Sequence, residues 1–196
     1  MPRYTYTQTE PHSCGAAALM VAMAELGALA RSKISQEREM RIYKRIWQAK
    51  GDDSNIAKTA KYTRRKWDRD AVVHENLFIT SKLKENKDFQ LQHALYDIDM
   101  KAAGVSSTTA WGMADDMFDD DARVLLVVAF PKRGGGIGLH FLLARKDEGQ
   151  VWLMNPDGGL DHAVPKFGDW IECPWHAYTD RKKHKYIFTG VYVILR

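Results

Sequence analysis

Seventeen residues, from Cys14 to Ala30, carry a single charge, at Glu25. A run so poor in polar side chains and so rich in alanine reads as a helix, predicted over 13–30, that has to be covered by apolar neighbours. It cannot cross a bilayer, which takes about 20 consecutive apolar residues, and Glu25 interrupts it. The run therefore belongs inside a folded domain, and the question is what the rest of the chain packs against it.

Two kinds of segment follow. Residues 32–66 are polar, with Met40, Tyr43, Ile46 and Trp47 at helical spacing, which predicts two amphipathic helices broken near Gly51-Asp52-Asp53. Their basic side chains, Lys58, Lys61, Arg64, Arg65 and Lys66, are expected on a solvated face. Residues 72–87 show no clear period. A helix is predicted over 88–103 through Leu91, Leu95, Ile98 and Met100, and another over 108–119 through Trp111, Met113 and Phe118. The acidic end of the latter, Asp115-Asp116 and Asp119-Asp120-Asp121, lacks the glycine and glutamate positions of a calcium loop and reads as a solvated helix terminus. Beyond residue 121 the pattern changes to strands, over 123–130, 139–145, 151–155 and, with imperfect alternation, 186–195. Helices first and sheet second is an α+β layout. We expect one domain over 1–196, with a helical part over 1–120, an antiparallel sheet over 121–196, and the cysteine-bearing helix packed on that sheet.

The first residues of the apolar helix carry chemistry. Ser13 is a good N-cap, which places Cys14 in the first turn. There the unpaired N–H groups and the positive end of the helix dipole favour a thiolate, moving a cysteine from about 8.5 toward about 3.5–7.5. Gln8, six residues upstream, offers an amide donor if its loop folds back. Taken alone, Cys14 is equally well a small apolar residue opening a core helix. A base and an orienting residue are needed, and His140 is the best of seven histidines. It opens a predicted strand, and the turn Asp147-Glu148-Gly149 makes that strand and the next a hairpin. The hairpin returns Asn155 beside His140, where an amide oxygen can accept an imidazole N–H and fix the tautomer. Asp157 competes for this role, and Asn-Pro-Asp-Gly-Gly is also plain turn chemistry.

In kind and order these residues resemble those of papain-like cysteine peptidases, most of all the bacterial C39-type domains. Those domains have a Gln, a Cys-Gly pair opening a helix, a His followed by apolar residues, and an Asp-Pro one hairpin later. The resemblance covers residues 1–30 and about 103–160, where Gly104-Val105, a polar helix and the strand from Arg123 to Phe130 lead to the histidine strand. This chain departs from the pattern with Asn155 before Pro156, which leaves Asp157 open as a substitute. Peptidoglycan amidases of the NlpC/P60 type also place a Cys at a helix start and a His on a strand, but the upstream Gln argues for the papain side. The resemblance implies a papain-like fold and a thiol hydrolase that cleaves a peptide or isopeptide bond through a thioester. In it His140 takes the Cys14 proton, Gln8 and the Cys14 backbone N–H hold the oxyanion, and Asn155 orients His140. Glutamine deamidation or acyl transfer would use the same residues. A reading of a different class is a non-catalytic module of the same shape that docks an acidic partner through the basic residues of 31–66.

A net charge of +4 suits acidic substrates or partners without indicating nucleic acid. Two cysteines, Cys14 and Cys173, do not make a disulfide framework, and a bridge between them would consume the nucleophile. The first seven residues lack an apolar stretch, so we expect a cytoplasmic protein or one exported without a cleaved signal. No cofactor or metal is expected. Cys173-Pro-Trp-His176 and His12-Ser13-Cys14 do not assemble the paired ligands of a structural zinc site. The Gly134–Gly138 loop lies between strands and lacks the Lys-Ser/Thr of a phosphate cradle. Arg181 to Lys185 reads as an exposed basic loop before the last strand.

Overall fold

The computed structural model describes residues 2–47, 54–119, 121–132 and 135–196. The apolar run folds as helix α1, Cys14–Glu25, and all twelve of its residues are buried. It ends earlier than the composition suggests, because Gly27 takes a left-handed turn at φ 72° that no continuing helix can hold. Helices α2 (Gln36–Ile46) and α3 (Ile56–Trp67) follow, and the break expected between them falls outside the described residues. On α2 the buried positions are Glu39, Ile42 and Ile46, while Trp47 lies exposed at the helix end. Then come strand β1 (Ala71–Asn76), helix α4 (Leu77–Leu83) and helix α5 (Lys87–Ala103). Ser35 and three asparagines, Asn55, Asn76 and Asn86, cap these four helices by accepting first-turn N–H groups. Lys61 donates to the carbonyl of Ala103 at 2.7 Å and Lys58 to that of Trp47 at 2.7 Å, so these two cations serve backbone ends, whereas Arg64, Arg65 and Lys66 are exposed as expected.

The remaining elements are β2 (Ser107–Ala110), β3 (Arg123–Pro131), β4 (Ile137–Asp147), β5 (Gln150–Asn155), β6 (Leu160–Ala163), the short helix α6 (Phe167–Ile171), β7 (Ala177–Thr179) and β8 (Lys185–Leu195). They form one sheet in the order β2-β1-β8-β3-β4-β5-β6, with β7 on β8. The class is α+β, but the sheet is mixed: β1 and β2 pair in parallel, and both come from the segment expected to be helical. The helix predicted over 108–119 is therefore replaced by β2 and turns. Residues 107–110 hydrogen-bond to β1, and pairing partners far along the chain outweigh a weak local period.

Two apolar layers sandwich the sheet. On one face α1 sits over Leu125, Val127, Phe141, Leu143, Val191 and Val193. The other face buries Leu126, Val128, Leu142 and Phe188 beneath α6 and the turn at Met117. Central strands covered on both sides need apolar residues at successive positions, which explains why β3 and β8 show so little alternation. Among the described residues no helix is long and apolar enough to cross a membrane.

Candidate functional site

The loop ahead of α1 is organised by a carboxylate that belongs to α2. Glu39 is fully buried and accepts from Thr9 N–H at 3.0 Å, Thr9 hydroxyl at 2.8 Å, Tyr6 hydroxyl at 2.8 Å and the Ser13 hydroxyl. Ser13 thus looks away from the helix it was expected to cap, its oxygen spent on Glu39 and on the Glu10 backbone. Burial and the Glu39 hydrogen bond push the Tyr6 phenol well above its usual range. The same loop meets the second half of the chain where the Gln8 backbone N–H donates to the carbonyl of Pro156 at 2.9 Å. The Gln8 side-chain nitrogen donates to the carbonyls of Glu10 at 2.9 Å and Pro11 at 3.0 Å. Both amide hydrogens are committed to the loop itself, and the expected role on an oxyanion would need one of them released.

Cys14 is 4% exposed and opens onto a cleft of about 330 Å³ whose walls include Ser54, Leu83, Phe89, Leu139, Phe141 and Val191. Its charged and polar lining includes Lys84, Lys132, His93, Asp99 and Gln92. The second cysteine, Cys173, is exposed, and neither forms a disulfide. Among the described residues no group of histidine, cysteine and carboxylate side chains could hold a metal ion.

His140 lies on β4 and Asn155 at the end of β5. A two-residue hairpin loop joins the strands, with Glu148 at φ 49° and Gly149 at φ 75°, the conformation whose twist matches that of paired strands. The register pairs Leu143 with Met154, which sets Asn155 diagonally across from His140 on one face of the sheet. The Asn155 Oδ1 lies 2.8 Å from His140 Nε2 and also accepts the Asp157 N–H at 2.9 Å. The Asn155 Nδ2 donates to Asp180 at 3.2 Å and to the Tyr186 hydroxyl at 3.1 Å. A fixed backbone donor on one side and a carboxylate on the other leave only one orientation for this amide. His140 must then carry its proton on Nε2, and Nδ1 is left as the basic nitrogen. Asp157 itself faces Lys182 at 3.7 Å and His184 at 3.6 Å, and its charge acts on His140 in the raising direction.

Burial pushes His140 below its ordinary range, with the Asn155 hydrogen bond acting in the opposite direction. Its ring stacks on Tyr186 at 5.6 Å between centroids. Burial, with the charges of Asp180, Asp157 and Cys14, pushes the Tyr186 phenol up to about 12. The Cys14 charge is the smallest of these influences on Tyr186. Strand alternation sends Leu139 and Phe141 toward α1 and the cleft, and His140 between them toward the other face. Pairing of β4 with β5 begins only at Leu143, so β5 does not cover the edge of β4 at His140.

Residues 3–51 match the model of a family described as Peptidase C39 like. The matched segment contains Gln8, Cys14 and Glu39, while His140 and Asn155 lie beyond it. No curated protein matches the sequence. Two solved structures of an N-acetylmuramoyl-L-alanine amidase from Bacteroides uniformis ATCC 8492 are partly similar in fold. One is 11% identical, with 89% of this chain and 80% of that chain covered and a TM-score of 0.34. The other is 12% identical, with 90% and 83% covered and a TM-score of 0.32.

Sequence reasoning missed Asp180 and Glu39. Asp180 sits beside a run of basic residues and looks like a solvated loop residue, yet it is buried and holds Asn155. Its charge explains an asparagine where C39-type domains have an aspartate. A carboxylate at 155 would point an oxygen at Asp180 and leave two buried negative charges facing each other. Asn155→Asp should therefore cost about 2 kcal/mol of stability, and adding Asp180→Asn should restore most of it, because the lost bond is to a charged group. Urea unfolding of the two single variants and the double variant checks this, and purely additive losses would count against the coupling.

Proposed function

We propose that the protein is a papain-like thiol hydrolase that acts on an amide bond, peptide or isopeptide, with Cys14 as nucleophile. The observation that carries this reading is that the C39-like match falls on the segment bearing a cysteine in the first turn of a buried helix, open to a cleft. The tautomer of His140 supports it. With Nε2 holding its proton against Asn155, Nδ1 is free to accept the thiol proton. Cys14 then attacks the substrate carbonyl, the first-turn N–H groups of α1 take part of the developing oxyanion charge, and the amine leaves with a proton returned by His140. Water resolves the thioester. Deamidation of glutamine and acyl transfer to an amine share these steps and differ only in which group leaves or arrives.

One observation favours a second reading, a non-catalytic module of the same shape. The alternation of β4 turns His140 away from the face that lines the cleft, and the cleft rim carries Lys84 and Lys132, which suit an acidic partner. Iodoacetamide at neutral pH separates the two. A thiolate at the helix start should alkylate faster than a free surface thiol, so Cys14 should label ahead of Cys173 even though it is far less exposed. Peptide mapping of the labelled protein gives the order. Incubation of the native chain and of Cys14→Ala with a peptide library, read by product mass, then distinguishes cleavage, deamidation and transfer. If Cys173 labels first and Cys14→Ala leaves the products unchanged, the binding module stands instead.

A further inference from the structure

Among the described residues, Ser54 is a buried hydroxyl without a hydrogen-bond partner. It is 7% exposed, its Oγ makes no hydrogen bond, and it lines the same cleft as Cys14. Its position is fixed from both sides: Ser54 bridges to Trp47 as an isolated antiparallel pair, and the next residue, Asn55, donates its N–H to Ile46 at 2.8 Å and caps α3. It also lies directly against the start of α1. A Cβ on Gly15 would come 2.5 Å from the Ser54 Cβ and 2.7 Å from its Oγ, so only glycine after Cys14 admits this serine. A hydroxyl held by the backbone, desolvated and unpaired, carries a cost that an alanine would avoid. A catalytic role is one of the explanations that such a group calls for.

We propose that Ser54 is a catalytic residue of the reaction read above, donating its hydroxyl hydrogen to the carbonyl oxygen of the group that acylates Cys14. The inference rests on that reading of Cys14 and adds a donor to it. The first N–H groups of a helix point out of its N-terminus, so the start of α1 can add a backbone donor to that of Ser54. The Gln8 amide, spent on the Glu10 and Pro11 carbonyls, leaves this role open. As the Cys14 sulfur bonds to the carbonyl carbon, the carbonyl π electrons move onto oxygen, where Ser54 meets them. They return as the leaving group departs with its bonding pair, and the thiol proton passes to His140.

Two reagents test this without knowledge of the natural substrate. Iodoacetamide alkylates a thiol without forming an oxyanion, whereas p-nitrophenyl acetate acylates it through one. With the rate of Cys14→Ala subtracted to remove Cys173, Ser54→Ala should slow acylation by about 10- to 100-fold, the range for one lost donor, and leave alkylation unchanged. Ser54→Gly, which also lacks the donor, should behave alike if the alanine variant folds poorly. The melting temperature of Ser54→Ala should not fall, since an unpaired hydroxyl is being removed. Acylation that is unchanged, or that falls only in step with alkylation, overturns the role of Ser54. A native chain that acylates no faster than Cys14→Ala overturns instead the reading of Cys14 on which it depends.

Discussion

Replacing Glu25 with alanine should remove about 3–5 kcal/mol of stability, the range found when one partner of a buried ion pair is deleted. Glu25 is the lone charge in the apolar helix, and its side chain is fully buried with those of Arg123 and Arg145, each 1% exposed. Its carboxylate meets Arg123 Nε at 2.6 Å and Arg145 Nε at 3.2 Å, and accepts the Tyr4 N–H at 2.8 Å. Arg145 reaches on to Asp161 at 3.1 Å. Burial pushes the Glu25 carboxyl up and the Arg145 guanidinium down, and the charge of each offsets the other's shift. Alanine would remove the carboxylate that Arg123 Nε meets at 2.6 Å and leave Arg145 paired with Asp161. For a domain of this length each kcal/mol is worth about 2–4 °C, so the melting temperature should fall by roughly 10 °C or more. Glu25→Gln, which keeps two polar atoms in place, should fall between native and alanine. A loss below about 1 kcal/mol by urea titration would mean that the pair is no better than a surface one.

That cluster marks the boundary of what the sequence discloses. Glu25 is visible as an interruption in an apolar run, but its partners lie about a hundred residues away, and nothing local assigns arginines at the starts and ends of strands to a buried carboxylate. The His140–Asn155 contact is legible for the opposite reason. Asp147-Glu148-Gly149 is a local turn signal, a tight turn sets the register, and the register alone brings the two side chains together. The strand β1 could not be read in 72–87, so its partner β2 could not be either, and a run with Trp111, Met113 and Phe118 was left to look helical. Ser54 and Asp180 carry no signal in composition or spacing. Each matters only because of what the folded backbone places, or fails to place, around it.

His140→Ala should lower the rate of the proposed hydrolysis by about 10²–10⁴-fold, the usual contribution of a positioned proton acceptor. The stronger evidence lies in its pH dependence. Burial lowers the folded-state pKa of His140, and also of His74 and His162, below the ordinary value of 6.5. The unfolded chain then binds protons at higher pH than the folded one does. Their contribution to stability is complete above about pH 6.5 and is lost as pH falls from there toward the folded-state values. Removing His140 should flatten one share of that loss, so the gap in stability between native and His140→Ala narrows as the solution is acidified. The same depression keeps the imidazole neutral, and therefore able to take a proton from Cys14, below the pH at which a solvent-exposed histidine is already charged. The acid limb of the rate profile should accordingly fall below pH 6.5. An acid limb above that value would count against an imidazole of lowered pKa as the proton acceptor.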